Sequence, residues 1–109
     1  MDTNVKYKVK DFIPSETVLA EIASFFNVFS DITRIKIIIC LALGEMCVND
    51  MVNNLGINQS TLSHQLKLLR DAKIVSFRRE GKHIFYYISN RHVEDIMLTG
   101  ALNLEGQKA

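Results

Sequence analysis

Residues 57–75, "INQSTLSHQLKLLRDAKIV", carry two sets of side chains at helical spacing. The apolar set, Leu62, Leu66 and Leu69, recurs at i, i+4 and i+7 and therefore shares one face of a helix. The polar set recurs on the other face and consists of Ser60, Ser63, His64 and Lys67. We therefore predict a helix over residues 58–72 that packs through its leucines and is capped by Asn58.

A shorter helix is predicted just before this segment. The stretch "CVNDMVNNLG" (47–56) places apolar side chains at helical spacing, and Gly56 is a natural helix stop. The side chains expected to point inward are Val48, Met51, Val52 and Leu55. Because the tight turn "GIN" joins the two helices, together they predict a helix-turn-helix.

The helical spacing of apolar residues ends after the predicted helix 58–72. The stretch "KIVSFRREGKHIFYYIS" (73–89) is rich in β-branched and aromatic residues, which favour strands. Glu80-Gly81 separates two such runs in the manner of a two-residue hairpin turn. We predict two antiparallel strands that form a wing over residues 76–86, beside the helix-turn-helix.

Three further segments have helical periodicity. Ser15 caps "SETVLAEIASFFNVF", and "SDITRIKIIICLALG" begins at the cap candidates Ser30 and Asp31 and closes at Gly44. The segment "NRHVEDIMLTGALNL" carries an apolar stripe of Val93, Ile96, Met97, Ala101 and Leu104. The expected fold class is mainly α with a β-hairpin wing: a dimeric winged helix-turn-helix of five helices and a two-stranded wing.

Charge is unevenly distributed along the chain, although the net charge is only +1. Residues 58–92 contain seven lysine and arginine side chains against two acidic ones, a net charge of +5, together with all three histidines. Residues 1–57 and 93–109 each carry a net charge of −2. This asymmetry indicates a face that meets a polyanion, with a merely solvated surface as the alternative.

The polar face of the predicted helix 58–72 suits the edges of DNA bases. Short hydroxyl and amide side chains allow close approach in the major groove and can both donate and accept hydrogen bonds. The contacts predicted on this helix are Gln59, Ser60, Thr61, Ser63, His64 and Lys67. Those predicted on the hairpin, to phosphates or an adjacent minor groove, are Arg78, Arg79 and Lys82. An ordinary solvated helix face and an exposed charged hairpin are the alternatives.

The motif "QSTLSHQLKLLRDAKIV" followed by "RREGK" resembles the ArsR/SmtB family of winged-helix repressors, and the likeness runs without a gap over about residues 30–88. The resemblance implies a homodimer formed by the first and last helices, which binds double-stranded operator DNA and is released by an effector. The base-reading positions that it implies are Gln59, Ser60, Ser63 and His64. The wing contacts that it implies are Arg78, Arg79 and Lys82.

The metal sites typical of that family are incomplete in this chain. The two-thiol motif of the family reads Cys47-Val48-Asn49-Asp50 here, so one of two sulfur ligands is missing. The second family site falls on Asn90, His92, Asn103 and Gly106, of which only His92 is of a ligand type. We therefore predict no metal and no cofactor, and the effector stays unidentified.

Two other functions stay open, and a catalytic one is not expected. Cys40 and Cys47 would form a redox sensor if they came within disulfide reach. The other possibility is a winged-helix module that binds an acidic protein in place of DNA. Ser63, His64 and Asp71 do not suggest an enzyme, because the sequence has no nucleophile elbow and no phosphate loop.

The chain is long enough for one domain, since 109 residues with 48% apolar composition can form a core. We assign residues 1–14 to a flexible N-terminal arm, 15–104 to a winged helix-turn-helix DNA-binding and dimerisation domain, and 105–109 to a frayed tail. No run of about 18 apolar residues occurs, and the first residues lack the apolar stretch of a signal peptide. A cytoplasmic protein with no membrane partner is expected.

Overall fold

The computed structural model describes the backbone of residues 8–108 and the side chains of residues 8–106, so the first seven residues of the predicted arm lie outside the described residues. Five α-helices and one hairpin follow in the predicted order. They are α1 (Glu16–Asn27), α2 (Ile32–Leu43), α3 (Val48–Leu55), α4 (Gln59–Asp71), β1 (Val75–Glu80), β2 (His83–Ile88) and α5 (Arg91–Lys108). The winged helix-turn-helix prediction is confirmed.

The helices begin and end at the residues whose chemistry marks them in the sequence. The Ser15 hydroxyl accepts a hydrogen bond from the backbone N–H of Val18 at 3.3 Å, and the Asp31 carboxylate accepts one from Arg34 at 3.0 Å. At the other end of a helix, Gly56 adopts φ +66°, a left-handed conformation that glycine takes without strain. Side-chain caps of this kind stabilise a helix because they satisfy N–H groups that have no partner within it.

Two boundaries differ from the predictions. The two residues between the strands are Gly81 and Lys82, so the turn predicted at Glu80-Gly81 is wrong by one position. Gly81 adopts φ +63° as the first turn residue, whereas Glu80 still pairs with His83 in the ladder. The last helix also continues beyond Leu104 to Lys108, through most of the tail predicted to fray.

The core lies between α2, α3, α4, the start of β1 and the first turn of α5. Its buried side chains are Ile37, Ile38, Cys40, Leu41, Met51, Leu62, Leu66, Leu69, Ile74, Val75 and Val93. Leu62, Leu66 and Leu69 of α4 belong to it, as the sequence predicts. Since this cluster holds both helices of the helix-turn-helix against α2, it also fixes which face of α4 is left in water.

A short backbone pairing adds a third segment to the hairpin. Met46, in the loop between α2 and α3, donates its N–H to the Tyr86 carbonyl at 3.1 Å and accepts the Tyr86 N–H at 2.8 Å. The pairing lies on the edge of β2 opposite β1, because β1 already occupies the other edge. The wing is therefore tied by main-chain bonds to the residue two places before α3.

The first and last helices leave large apolar side chains exposed. α1 contains no buried residue. The most exposed apolar side chains of α1 and α5 are Val18, Ile22, Phe26, Ile96, Leu102 and Leu104. The radius of gyration, 17.6 Å, exceeds the roughly 13 Å expected of a compact domain of this length, which indicates that these helices extend from the core. Within residues 8–108, no helix is both long and apolar enough to span a membrane.

The buried leucine face of α4 predicts a mutational contrast. Leu66 is 1% exposed and Leu68 is 39% exposed, and both lie within the same helix. We expect Leu66→Ala to lower the free energy of unfolding by about 3 kcal/mol through lost burial and a cavity. Leu68→Ala, which has the same effect on helix propensity, should cost about 1 kcal/mol or less. Urea titrations at equal protein concentration measure both values, and equal losses would contradict the assigned face.

Candidate nucleic-acid interface

The exposed face of α4 brings together the polar residues singled out in the sequence. Its members, all exposed, are Gln59, Ser60, Thr61, Ser63, His64 and Lys67. Ser60, Ser63 and His64 lie along the middle of this face because they are spaced by three and four residues, and the leucines lie on the opposite side. Within the described residues, no hydrogen bond ties the Ser63 or His64 side chain to another protein group. These side chains are therefore available to an external partner.

The N-terminal end of α4 is suited to meet negative charge. The Asn58 side chain accepts a hydrogen bond from the Thr61 N–H at 2.8 Å, which fixes the start of the helix. The first turn carries no acidic side chain, so no carboxylate of that turn offsets the partial positive charge of the helix N-terminus. This end of the helix is compatible with close approach of a phosphate backbone.

Lys67 is partly neutralised within its own helix. Its ammonium group lies 3.1 Å from a carboxylate oxygen of Asp71, one turn further along. Both side chains are more than 60% exposed, at 69% and 64%, so water and salt screen the pair strongly. A nucleic-acid phosphate could replace Asp71 as the partner of Lys67 at little cost.

The two arginines of the wing lie on opposite faces of the hairpin. Side chains alternate along a strand, so Arg79 shares a face with Phe77 and Val75, whereas Arg78 shares the other with Glu80. The Arg79 face is the one turned toward α4, because the Arg70 guanidinium of that helix lies 4.4 Å from the centre of the Phe77 ring. The sequence predicts the same role for both arginines, but the structure gives them different surroundings.

Arg78 is bound by two carboxylates. Its Nε donates to Glu45 Oε1 at 2.8 Å and its Nη1 donates to Glu80 Oε2 at 2.7 Å. The hydrogen bond to Glu80, followed by that to Glu45, raises the pKa of Arg78, and the hydrogen bond from Arg78 lowers the pKa of the Glu80 carboxyl. Because the pKa of Glu80 is lowered, this pair persists at neutral pH and weakens only as the pH falls below the ordinary range of glutamate.

Arg79 and Lys82 have no such partners. Both are exposed, and no carboxylate of the described residues lies within ion-pair distance of either. Lys82 is the second residue of the hairpin turn and so lies at the tip of the wing. These two cations, together with the polar face of α4, form the part of the surface best placed to bind a polyanion.

Glu45 is a contact residue of the wing that sequence reasoning missed. It lies in the loop before α3 and meets Arg78 across a separation of 33 residues. No periodicity or motif in the sequence connects the two, because their contact depends on the pairing of Met46 with Tyr86. Only the three-dimensional fold shows that this carboxylate belongs to the wing.

The metal-ligating side chains are not gathered into a site. Across residues 8–106, no group of three or more His, Cys, Asp and Glu side chains could hold a metal ion. His92 lies in the first turn of α5, where its N–H donates to the Asn90 side chain at 3.0 Å. Cys47 occupies the N-cap position of α3 without a side-chain capping bond, and its thiol donates a hydrogen bond to an Asp50 carboxylate oxygen at 3.3 Å.

The two thiols have separate partners. Cys40 is buried in the core, and its sulfur lies 3.4 Å from the sulfur of Met46. Burial raises the pKa of the Cys40 thiol. Cys47 is half-buried at the start of α3. Neither is disulfide-bonded.

Known proteins resemble this chain in sequence and in fold. Residues 31–76 match the family described as "Bacterial regulatory protein, arsR family". The chain is 33% identical over 76 residues to the "Transcriptional repressor SmtB homolog" of Synechocystis sp., across 70% of this chain and 58% of that protein. It is 33% identical over 95 residues to the "HTH-type transcriptional regulator KmtR" of Mycobacterium tuberculosis, across 87% of this chain and 72% of that one.

A solved structure shows the same architecture. The homodimeric winged helix-turn-helix DNA-binding domain of Mb0332 from Mycobacterium bovis superposes with a TM-score of 0.74 at 25% sequence identity, covering 86% of this chain and 90% of that one. The matched residues 31–76 include all of α2, α3 and α4. The chain therefore belongs to the ArsR/SmtB family of winged helix-turn-helix transcriptional regulators.

Proposed function

We propose that this protein is a sequence-specific DNA-binding repressor that acts as a homodimer. The observation that carries the proposal is the division of α4 into a buried leucine face and an exposed polar face, on which Ser63 and His64 have no hydrogen-bond partner among the described residues. The family of the chain supports it, because its relatives include proteins named as transcriptional repressors. The chain spans 58% of the length of the SmtB homolog, so the activity of that protein is carried over here only as part of this proposal.

The exposed face of α4 would read bases in the major groove. Hydroxyl, amide and imidazole groups can donate to and accept from base edges, and the short side chains let the helix backbone approach closely. The residues proposed to contact bases are Gln59, Ser60, Ser63 and His64. Thr61 and Lys67, at the margin and the C-terminal part of the face, would bind the adjoining phosphates.

The wing would bind the DNA backbone beside the recognition helix. Arg79 and Lys82 are exposed cations without carboxylate partners among the described residues, so a phosphate would not have to displace an existing ion pair. Such contacts supply affinity and orientation without reading sequence. The third predicted wing contact, Arg78, is already bound by Glu45 and Glu80.

Dimerisation would cover the exposed apolar side chains of α1 and α5. A groove of about 320 Å³ between α2 and α5 is lined by apolar side chains that include Ile39, Met97 and Leu104. A second copy is the partner of choice, since the resembling Mycobacterium bovis domain is homodimeric. A two-fold dimer would present its two recognition helices to successive major grooves, about 34 Å or a multiple of it apart, on an imperfect palindrome.

Residues 15–104 would suffice for this activity, because they contain the core, both helices of the helix-turn-helix and the wing. We further propose that the protein acts in the cytoplasm, where its DNA target lies, and that it catalyses no reaction. Ser63 and His64 lie in open solvent, and neither is hydrogen-bonded to Asp71, whose carboxylate pairs with Lys67. A binding role explains these side chains without a catalytic one.

The base-reading and backbone-binding roles predict different mutant behaviour. His64→Ala should weaken binding to the DNA upstream of the protein's own gene by roughly 1–3 kcal/mol and leave binding to unrelated DNA unchanged. Arg79→Ala should weaken binding to both DNAs and lower the slope of log K against log[salt] by about 0.9. Fluorescence anisotropy over a salt series measures both quantities.

Two exposed residues outside the proposed contacts provide matched controls for that series. His92→Ala removes an exposed histidine at the start of α5, and Lys36→Ala removes an exposed cation on α2. Both should bind as the wild type does. Equal weakening of all DNA by His64→Ala and Arg79→Ala would show that α4 does not read sequence, and would favour a module that binds an acidic protein.

The surroundings of the thiols predict unequal reactivity. Cys47 should react with a disulfide reagent in a fast phase of one thiol per chain, because its side chain is half-exposed, and Cys47→Ser should remove that phase. Cys40 should react only when denaturant exposes it, since it is buried and its pKa is raised. Two fast thiols in the native protein, or a Cys40–Cys47 disulfide found by mass spectrometry after mild oxidation, would favour the alternative redox-sensing repressor.

A further inference from the structure

Arg78 spans the wing from one edge to the other. It pairs with Phe85 across the hairpin, and its guanidinium lies 4.9 Å from the centre of the Phe85 ring. Beyond β2, its Nε meets Glu45 in the loop before α3. The side chain thus crosses β2 and joins β1 to the segment that precedes the helix-turn-helix.

The position of Glu45 follows from the backbone pairing beside it. Met46 is paired with Tyr86 by two main-chain hydrogen bonds, so the neighbouring residue, Glu45, projects on the same face as Tyr87. Arg78 and Tyr87 line the same depression as Glu45, which agrees with this placement. The Met46–Tyr86 main-chain bonds link the wing to the loop before α3. The Arg78–Glu45 ion pair adds a side-chain contact to the same link.

The charge of this cluster is unfavourable for DNA. One guanidinium is shared by two carboxylates, so Arg78, Glu45 and Glu80 together carry a net charge of −1. His83 lies on the same face and adds no charge while it is neutral. A phosphate that approached Arg78 would meet this negative group and would have to compete with hydrogen bonds of 2.8 and 2.7 Å. Arg79, on the other face of the same strand, imposes neither cost.

We propose that Arg78 is a positioning residue of the DNA-binding surface: with Glu45 it fixes the orientation of the wing relative to α3, so that Arg79 and Lys82 reach the phosphates while α4 lies in the major groove. This role rests on the proposed DNA-binding function. It replaces the direct phosphate contact that the sequence predicts for Arg78. It also assigns a function to Glu45, an acidic residue next to a surface for a polyanion.

The two roles of Arg78 predict opposite effects of Glu45→Gln. If Arg78 positions the wing, removing its partner loosens the wing and weakens DNA binding. If Arg78 binds a phosphate, removing a competing carboxylate strengthens DNA binding, and Arg78→Gln lowers the salt slope by about 0.9. The sign of the Glu45→Gln effect and the slope of Arg78→Gln therefore distinguish the roles.

The experiment measures binding of the full chain to the DNA upstream of its own gene, by anisotropy over a salt series. The variants are Glu45→Gln, Arg78→Gln, the double variant, Arg78→Lys and, as the phosphate-contact control, Arg79→Gln. We expect Glu45→Gln and Arg78→Gln each to weaken binding about twofold to fivefold, with the double variant no weaker than either single one. Their salt slopes should equal that of the wild type, and only Arg79→Gln should lower the slope.

Arg78→Lys separates shape from charge. Lysine keeps the positive charge but lacks the planar fork that binds two carboxylates at fixed angles. A positioning role predicts weakened binding for Arg78→Lys at an unchanged salt slope, whereas a phosphate contact predicts near wild-type binding. Thermal unfolding of every variant checks that the protein is folded. Because these ion pairs are exposed, their removal should shift the unfolding midpoint little.

Three results would overturn the proposal. They are tighter DNA binding by Glu45→Gln, a lowered salt slope for Arg78→Gln, or wild-type DNA affinity in both Glu45→Gln and Arg78→Gln. A failure of the proposed function gives a different result, because then the wild-type protein itself would show no preference for its upstream DNA. The matched variant Glu80→Gln removes the second carboxylate and leaves the Glu45 contact in place. Under the proposal its effect on affinity is smaller than that of Glu45→Gln.

Discussion

The burial of one face of α4 is the constraint on which the rest of the structure depends. Leu62, Leu66 and Leu69 pack into the core formed with α2 and α3, and an amphipathic helix at the surface buries one stripe. Because the leucines take that stripe, the serines and His64 must face water. The exposed polar surface of α4 is thus a consequence of packing, and any change that rotates α4 would alter the core and the proposed DNA interface together.

Most of this architecture can be predicted from local sequence signals. Ser15, Asp31 and Asn58 cap the helices predicted to follow them, and Gly56 ends α3, because capping depends on residues only a few positions apart. The sequence alone does not fix the hairpin turn, because both Glu80-Gly81 and Gly81-Lys82 would put a glycine in a two-residue turn. Only the pairing of the two strands shows that the turn residues are Gly81 and Lys82.

The surroundings of the wing residues could not be predicted in the same way. The motif "RREG" contains two adjacent arginines that cannot be distinguished by residue type, but side chains alternate along a strand and so lie on opposite faces. Which face receives Glu45 depends on a backbone pairing between residues 40 positions apart, Met46 and Tyr86, for which the sequence has no local signal. Predicting the electrostatic contacts of these side chains therefore requires the tertiary structure, whereas predicting the buried and exposed faces of the helices does not.

The exposed apolar surface of α1 has a consequence for how the proposed homodimeric repressor would respond to its own concentration. With no buried residue in the single chain, α1 would gain most of its packing when a second chain covers it. At concentrations below the dissociation constant of the dimer, the number of dimers grows with the square of the number of chains. Operator occupancy would then rise and fall more steeply than protein level, and a modest change in synthesis or degradation would act as a threshold.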